Sequence, residues 1–129
     1  MVEIKNISKA FGELVVLSDV SFQVEKSDNL VVLGRSGTGK SVLLKCLVGL
    51  LKPDKGDIFI DGQDVLKLSG SKLNSLRKNI GFLFQSSALY DSMTVRENLS
   101  FPLIRNLNFT KIEIEKKVEW ALVMVLLAD

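Results

Sequence analysis

Residues 34–41 read Gly34-Arg35-Ser36-Gly37-Thr38-Gly39-Lys40-Ser41 and fill every fixed position of the pattern G-x-x-x-x-G-K-[ST]. Phosphate oxygens need several N–H donors converging on one point. The backbone must therefore turn inward, and glycines permit both the dihedrals and the close approach. A helix starting where the loop ends adds its positive pole. In this reading Lys40 bridges the β- and γ-phosphates of a nucleotide and Ser41 supplies a hydroxyl to Mg²⁺. The flanks agree with it: the short apolar run Asn29 to Leu33 is expected to form a buried strand, and Lys40 to Leu50 a helix. An ordinary glycine-rich turn is the bland alternative, and the strand–loop–helix setting weighs against it.

Upstream of the loop, residues 2–8 and 14–24 are rich in β-formers, and Val20-Ser21-Phe22-Gln23-Val24 alternates apolar with polar. Phe11-Gly12-Glu13 stands between them as a turn, which predicts an antiparallel opening. Downstream, Lys52-Pro53-Asp54-Lys55-Gly56 turns into a strand over Asp57 to Ile60, closed by Asp61-Gly62. A short helix is expected over Ser71 to Lys78, then a strand over Ile80 to Phe84 ending at Gln85. Beyond Gln85 the character becomes helical. Thr94-Val95-Arg96-Glu97 and Thr110-Lys111-Ile112-Glu113 both fit the capping box, so helices are expected to start near 95 and 111.

At about 100° per residue, Ile114, Val118, Ala121, Leu122 and Val125 share one stripe of the last helix, with Trp120, Val123, Met124 and Leu127 opposite. A helix apolar on both sides needs cover on both, and the expectation is a piece of a longer protein. Lys111–Glu115 and Glu113–Lys117 are spaced as i,i+4 pairs on a solvated face. Val123 to Asp129 mimics an apolar strand ending in aspartate, but the capping box and helical period argue for helix.

The chain has 129 residues, 47% hydrophobic and 25% charged, which suits one folded domain and excludes disorder as the main state. A net charge of +2 shows no basic bias of the kind nucleic acid demands. One cysteine, Cys46, and no histidine exclude an internal disulfide and a Cys/His zinc site, and suit a reducing compartment. The longest apolar run, Trp120 to Ala128, is nine residues, against about 20 for a membrane span. The loop alone leaves GTPases, small-molecule kinases and transporter ATPases open. The guanine-reading string Asn-Lys-x-Asp and the string Asp-x-x-Gly are both missing, which argues against a GTPase.

With these motifs together the sequence resembles the ATP-binding subunits of ABC transporters, over nearly its whole length. Phe11 lies 29 residues before Lys40, where that family places an aromatic that stacks on adenine, with Val16 beside it. Gln85 matches the glutamine of the family's Q-loop, whose side-chain oxygen reaches Mg²⁺ or the attacking water. Leu17 to Phe22 and Gly56 to Gln63 also look like family strings. The stretch from Phe84 to Val95, with Glu97-Asn98 and Phe101-Pro102-Leu103, looks most like the ATPases of bacterial Mla/Mce-type lipid transporters.

The resemblance implies an α/β fold: a truncated P-loop NTPase core with an antiparallel β opening and the start of a helical subdomain. Residues 1–85 would hold the ATP-binding core with its Walker A motif and Q-loop, and 86–129 the beginning of the helical part, one incomplete domain overall. ATP would contact Phe11, Val16, residues 34–41 and Val42; Lys40 and Gln85 would serve hydrolysis; Ser41 and Gln85 would hold Mg²⁺. Implied partners are a second copy of the subunit and transmembrane permease subunits, on the cytoplasmic face of the inner membrane, with Ser86 to Met93 as the contact. The Leu-Ser-Gly-Gly-Gln signature, the strand ending in Asp-Glu and the switch histidine do not occur in these residues, so this stretch alone is expected to be inactive. A soluble ABC-type ATPase of DNA repair or translation, and a nucleotide-binding module without hydrolysis, are the other readings.

Overall fold

The alternation at Val20–Val24 is realised as a strand with every second residue turned inward. β1 (Val2–Phe11) and β2 (Leu14–Val24) form an antiparallel hairpin whose register runs from Val2 opposite Val24 to Phe11 opposite Leu14. β1 pairs on its other side with β3 (Lys55–Ile60), and β3 with β4 (Gln63–Asp64), so the sheet order is β2-β1-β3-β4 with every neighbour antiparallel. Asp61 and Gly62 both take positive φ, 47° and 75°, the pair of left-handed residues that a tight turn between twisted strands requires.

This computed structural model describes residues 1–84, 89–106 and 109–125, in two compact units, Met1–Gly81 and Phe82–Asp129. In the first unit Ile4, Ile7 and Leu17 of the hairpin meet Ile58 and Val65, and the layer is closed by Leu43 and Cys46 of α1 (Lys40–Leu47) and Leu76 of α2 (Gly70–Arg77). Burial pushes the Cys46 thiol up from its ordinary pKa, so it behaves as a small core residue. α1 stops at Leu47, short of the expected Leu50, because Gly49 turns left-handed at φ 66°. Arg77 reaches across from α2 to close that end, its Nε donating to Val48 O at 2.9 Å and Nη2 to Gly49 O at 2.6 Å.

Two expected strands are not strands. Asn29 to Leu33 runs without regular structure and exposed, with Val31 at 74% and Leu33 at 88%. Ile80 to Phe84 is irregular as well. A strand is defined by its ladder, and neither segment finds a partner among the described residues: β1, β2, β3 and β4 pair only with one another. An apolar run sets the propensity and cannot supply the neighbour.

In the second unit, α3 (Val95–Asn106) and α4 (Lys111–Met124) start where the capping boxes placed them. Thr94 and Glu97 exchange hydrogen bonds in both directions, as do Thr110 and Glu113. In α4, Val118 and Leu122 are buried while Trp120, Val123 and Met124 stay exposed. Neither i,i+4 pair closes as an ion pair among the described residues. Glu113 commits its carboxylate to Thr110, and Lys117 lies 4.8 Å from the ring of Phe109. Arg96 instead joins α3 to α4 through Glu119 at 3.0 Å. Asn98 holds the preceding turn: its Nδ2 donates to the carbonyls of Tyr90, Met93 and Thr94, and its Oδ1 accepts from Tyr90 N.

Candidate functional site

The glycine loop leaves the exposed segment 28–33 and ends on α1, with Gly39 at the helix start in a left-handed conformation, φ 92°. Two constraints demand glycine there. Positive φ is costly for other residues, and a Cβ on Gly39 would stand 2.8 Å from Val16 Cγ1 and 2.9 Å from Val16 O. β2 therefore lies directly against the last glycine of the loop. Gly34 is tight on its other side: a Cβ there would meet Thr38 Oγ1 at 2.8 Å.

Within the loop, the Thr38 hydroxyl donates to Arg35 O at 2.8 Å, and Lys40 Nζ donates to Gly34 O and Arg35 O at 2.7 and 2.6 Å. The side chains thus draw on the loop's carbonyls and leave its amides alone. Apart from Thr38, whose N–H closes the turn over residues 36–37, no backbone N–H from Arg35 to Val42 has a backbone acceptor among the described residues. A run of free N–H groups leading into a helix N-terminus, beside one ammonium on a flexible stem, is a donor set matched to phosphate oxygens. Ser41 lies exposed at the start of α1 and Val42 packs against the core, which leaves the Ser41 hydroxyl open to a hard cation of the Mg²⁺ type. No grouping of three or more carboxylate, histidine or cysteine ligands occurs among the described residues.

Of the residues singled out from sequence, Gly34 to Val42 are contiguous by construction, and Val16 is brought to them by the hairpin through its contact with Gly39. Ser36 and Gly37 sit exposed at the loop's crest. Phe11 ends β1 with its ring half-exposed at 49%. Gln85, together with Ser86 to Ala88 of the expected partner contact, lies outside the described residues. The sequence reading passed over Lys9 and Asp54. Lys9 Nζ stands 5.5 Å from the Phe11 ring centroid and 2.7 Å from Asp54 Oδ1, while Asp54 Oδ2 accepts from Ala10 N at 2.8 Å. The Lys9 hydrogen bond, and after it that of Ala10, holds the Asp54 carboxyl below the usual aspartate range. Lys9 is discoverable as a residue two places before Phe11 on the same strand face, whereas nothing local announces Asp54.

Comparison with known proteins meets this geometry from outside. A family model described as ABC transporter matches residues 17–129. The chain is 40% identical over 124 residues to the "Probable ribonucleotide transport ATP-binding protein mkl" of Mycobacterium bovis, covering 96% of this chain and 34% of that protein. It is 42% identical to "Methionine import ATP-binding protein MetN 1" of Bacillus cereus, covering 92% and 35%. With the chloroplastic protein TRIGALACTOSYLDIACYLGLYCEROL 3 of Arabidopsis thaliana it shares 40% identity over 97% of this chain and 36% of that one. The chain thus spans about a third of the length of these curated relatives.

Among solved structures, a dimeric ATP-binding cassette in a post-hydrolysis state with ADP and Pi superposes with a TM-score of 0.84 at 31% identity, over 98% of this chain and 57% of that one. A dimeric bacterial ABC transporter cassette gives 0.85 at 30%, with the same coverage. The α/β fold read from the sequence is the fold of these cassettes. With a family model spanning most of its residues, and relatives above 30% identity over nearly its full length, the chain belongs to the ABC transporter family.

Proposed function

We propose that the protein is the ATP-binding subunit of a membrane transporter and, in its full extent, hydrolyses ATP to drive it. The observation that carries this is the run of N–H groups without a backbone acceptor from Gly39 to Val42 at the start of α1, in a loop whose carbonyls at Gly34 and Arg35 hold the ammonium of Lys40. Lys40 supplies charge to the β- and γ-phosphates, Gly34 to Gly39 supply backbone donors, and Ser41 with Gln85 holds Mg²⁺. Phe11 offers a flat face to adenine beside Val16. Residues 1–85 form the ATP-binding core and 86–129 begin a helical subdomain. The printed names of the relatives are of transport and import proteins, which favours transport over DNA repair or translation.

The partners in this reading are a second copy of the subunit and transmembrane permease subunits, at the cytoplasmic face of the cell membrane. No helix among the described residues is long and apolar enough to cross a membrane. Turnover requires a signature sequence, an Asp-Glu strand and a switch histidine from outside these 129 residues. The cargo we propose is lipid-like, on the resemblance of residues 84–103 to Mla/Mce-type ATPases. The relatives' printed names range from ribonucleotide transport to methionine import.

Fluorescent-ATP titration of the protein and of Lys40→Ala, with circular dichroism as the fold control, tests the core of this reading. The expected result is binding that Lys40→Ala removes while the fold persists. Unchanged affinity in a folded variant would overturn the assignment of the loop.

A further inference from the structure

The geometry points to Lys9 and Asp54 as a clamp that sets the ring of Phe11 for a nucleobase, which makes both positioning residues; the inference rests on the reading of Phe11 as the base platform. Phe11 is the last residue of β1, and a half-exposed ring at a strand end has little packing to choose its rotamer. Lys9 supplies that choice. Its ammonium lies 5.5 Å from the ring centroid, within cation–π range. A cation on one face leaves the other free and draws electron density toward itself, which suits stacking on an electron-rich purine.

Lys9 is itself fixed. Its side chain is only 14% exposed, and its Nζ is 2.7 Å from Asp54 Oδ1. Asp54 in turn grips the strand end at two backbone points: Oδ2 accepts from Ala10 N at 2.8 Å, and Asp54 N donates to Ser8 O at 2.9 Å. A loose surface ion pair makes no such backbone contacts. Asp54 stands on the segment that connects α1 to β3. The helix whose beginning carries the phosphate loop therefore leads, past its other end, to the residue that holds the base platform.

The test separates base from phosphate. Affinities of the full-length protein for ATP and for inorganic triphosphate are measured by calorimetry for Lys9→Met, which keeps the apolar stem, and Asp54→Asn, which keeps an acceptor for Ala10 N. Lys9→Arg and Phe11→Ala are run beside them, with unfolding midpoints as fold controls. The expected result is ATP affinity weakened about threefold to tenfold in Lys9→Met and Asp54→Asn, triphosphate affinity unchanged, and recovery in Lys9→Arg. Lys9→Met added to Phe11→Ala should cost nothing further. If Phe11→Ala separates the two ligands while Lys9→Met and Asp54→Asn do not, the clamp is wrong and the platform stands. If Phe11→Ala does not separate them, the platform reading falls and takes the clamp with it. Equal weakening of both ligands by the clamp variants overturns the proposal in favour of a general structural role.

Discussion

Arg77 Nη2 donates to the carbonyl oxygen of Gly49 at 2.6 Å, so one side chain of α2 closes the C-terminal end of α1, the helix that carries the phosphate loop at its other end. The last carbonyls of a helix have no partner within it. Arg77 satisfies the one at the C-cap residue Val48 and, just past the helix, that of Gly49, from a partly buried position. Arg77→Ala is expected to destabilise the first unit by about 1 to 3 kcal/mol, the cost of leaving buried acceptors unpaired. Urea unfolding measures it. Arg77→Lys should recover only part, since an ammonium lacks the fork that reaches both carbonyls.

Gly39→Ala should damage folding and binding together. At φ 92° the left-handed conformation alone costs about 1 to 2 kcal/mol for a residue with a Cβ, and the new methyl would press on Val16 Cγ1 and Val16 O. Gly37→Ala shares the positive φ, 80°, but its Cβ meets open space. Thermal unfolding of the two variants side by side is expected to show the larger loss for Gly39→Ala. Equal losses would show that backbone strain alone matters and that β2 does not crowd the loop.

Acid should loosen the helical unit first at its capping boxes. The backbone N–H of Thr110, then its hydroxyl, holds the Glu113 carboxyl below the ordinary 4.5, and Thr94 does the same to Glu97. A carboxyl whose folded pKa is depressed gives its stabilisation above the unfolded value and loses it as pH falls through the folded one. Stability is therefore expected to be level near neutrality and to decline once the pH drops below 4.5. In the first unit, Asp64 is held low by its hydrogen bond from Lys67 and gives a loss of the same sign there. Hydrogen exchange at residues 111–114, compared at pH 7 and pH 3.5, checks it. Glu113→Gln should remove most of the difference at the start of α4 and leave α3 unchanged.

How far the molecule could be read in advance depended on the range of each interaction. Capping boxes at 94 and 110, the Asp61-Gly62 turn and the loop at 34–41 involve residues within a few positions of each other, and local chemistry settles them. Asn29 to Leu33 departs from the expected strand because its composition reports a preference for extended backbone, while a ladder needs a neighbour that the sheet among the described residues does not give it. Asp54 lies 45 residues from Lys9 in sequence, so only the β1–β3 pairing reveals that they meet. Phe11 and Gln85 entered through family likeness alone; the residue type of either fits a strand end equally well.

Asn98 grips the turn before α3 wholly by main-chain atoms, at Tyr90, Met93 and Thr94. Shape and surface chemistry are thereby uncoupled. Asp91 and Ser92 are exposed side chains in that turn, and replacing them should shift stability by no more than about 0.5 kcal/mol, whereas Asn98→Ala should unpin the turn and be visible as faster amide exchange at Tyr90 and Met93. The turn is thus an interchangeable face on a fixed frame: mutation can rewrite what it presents to a neighbour while one asparagine preserves how it is presented.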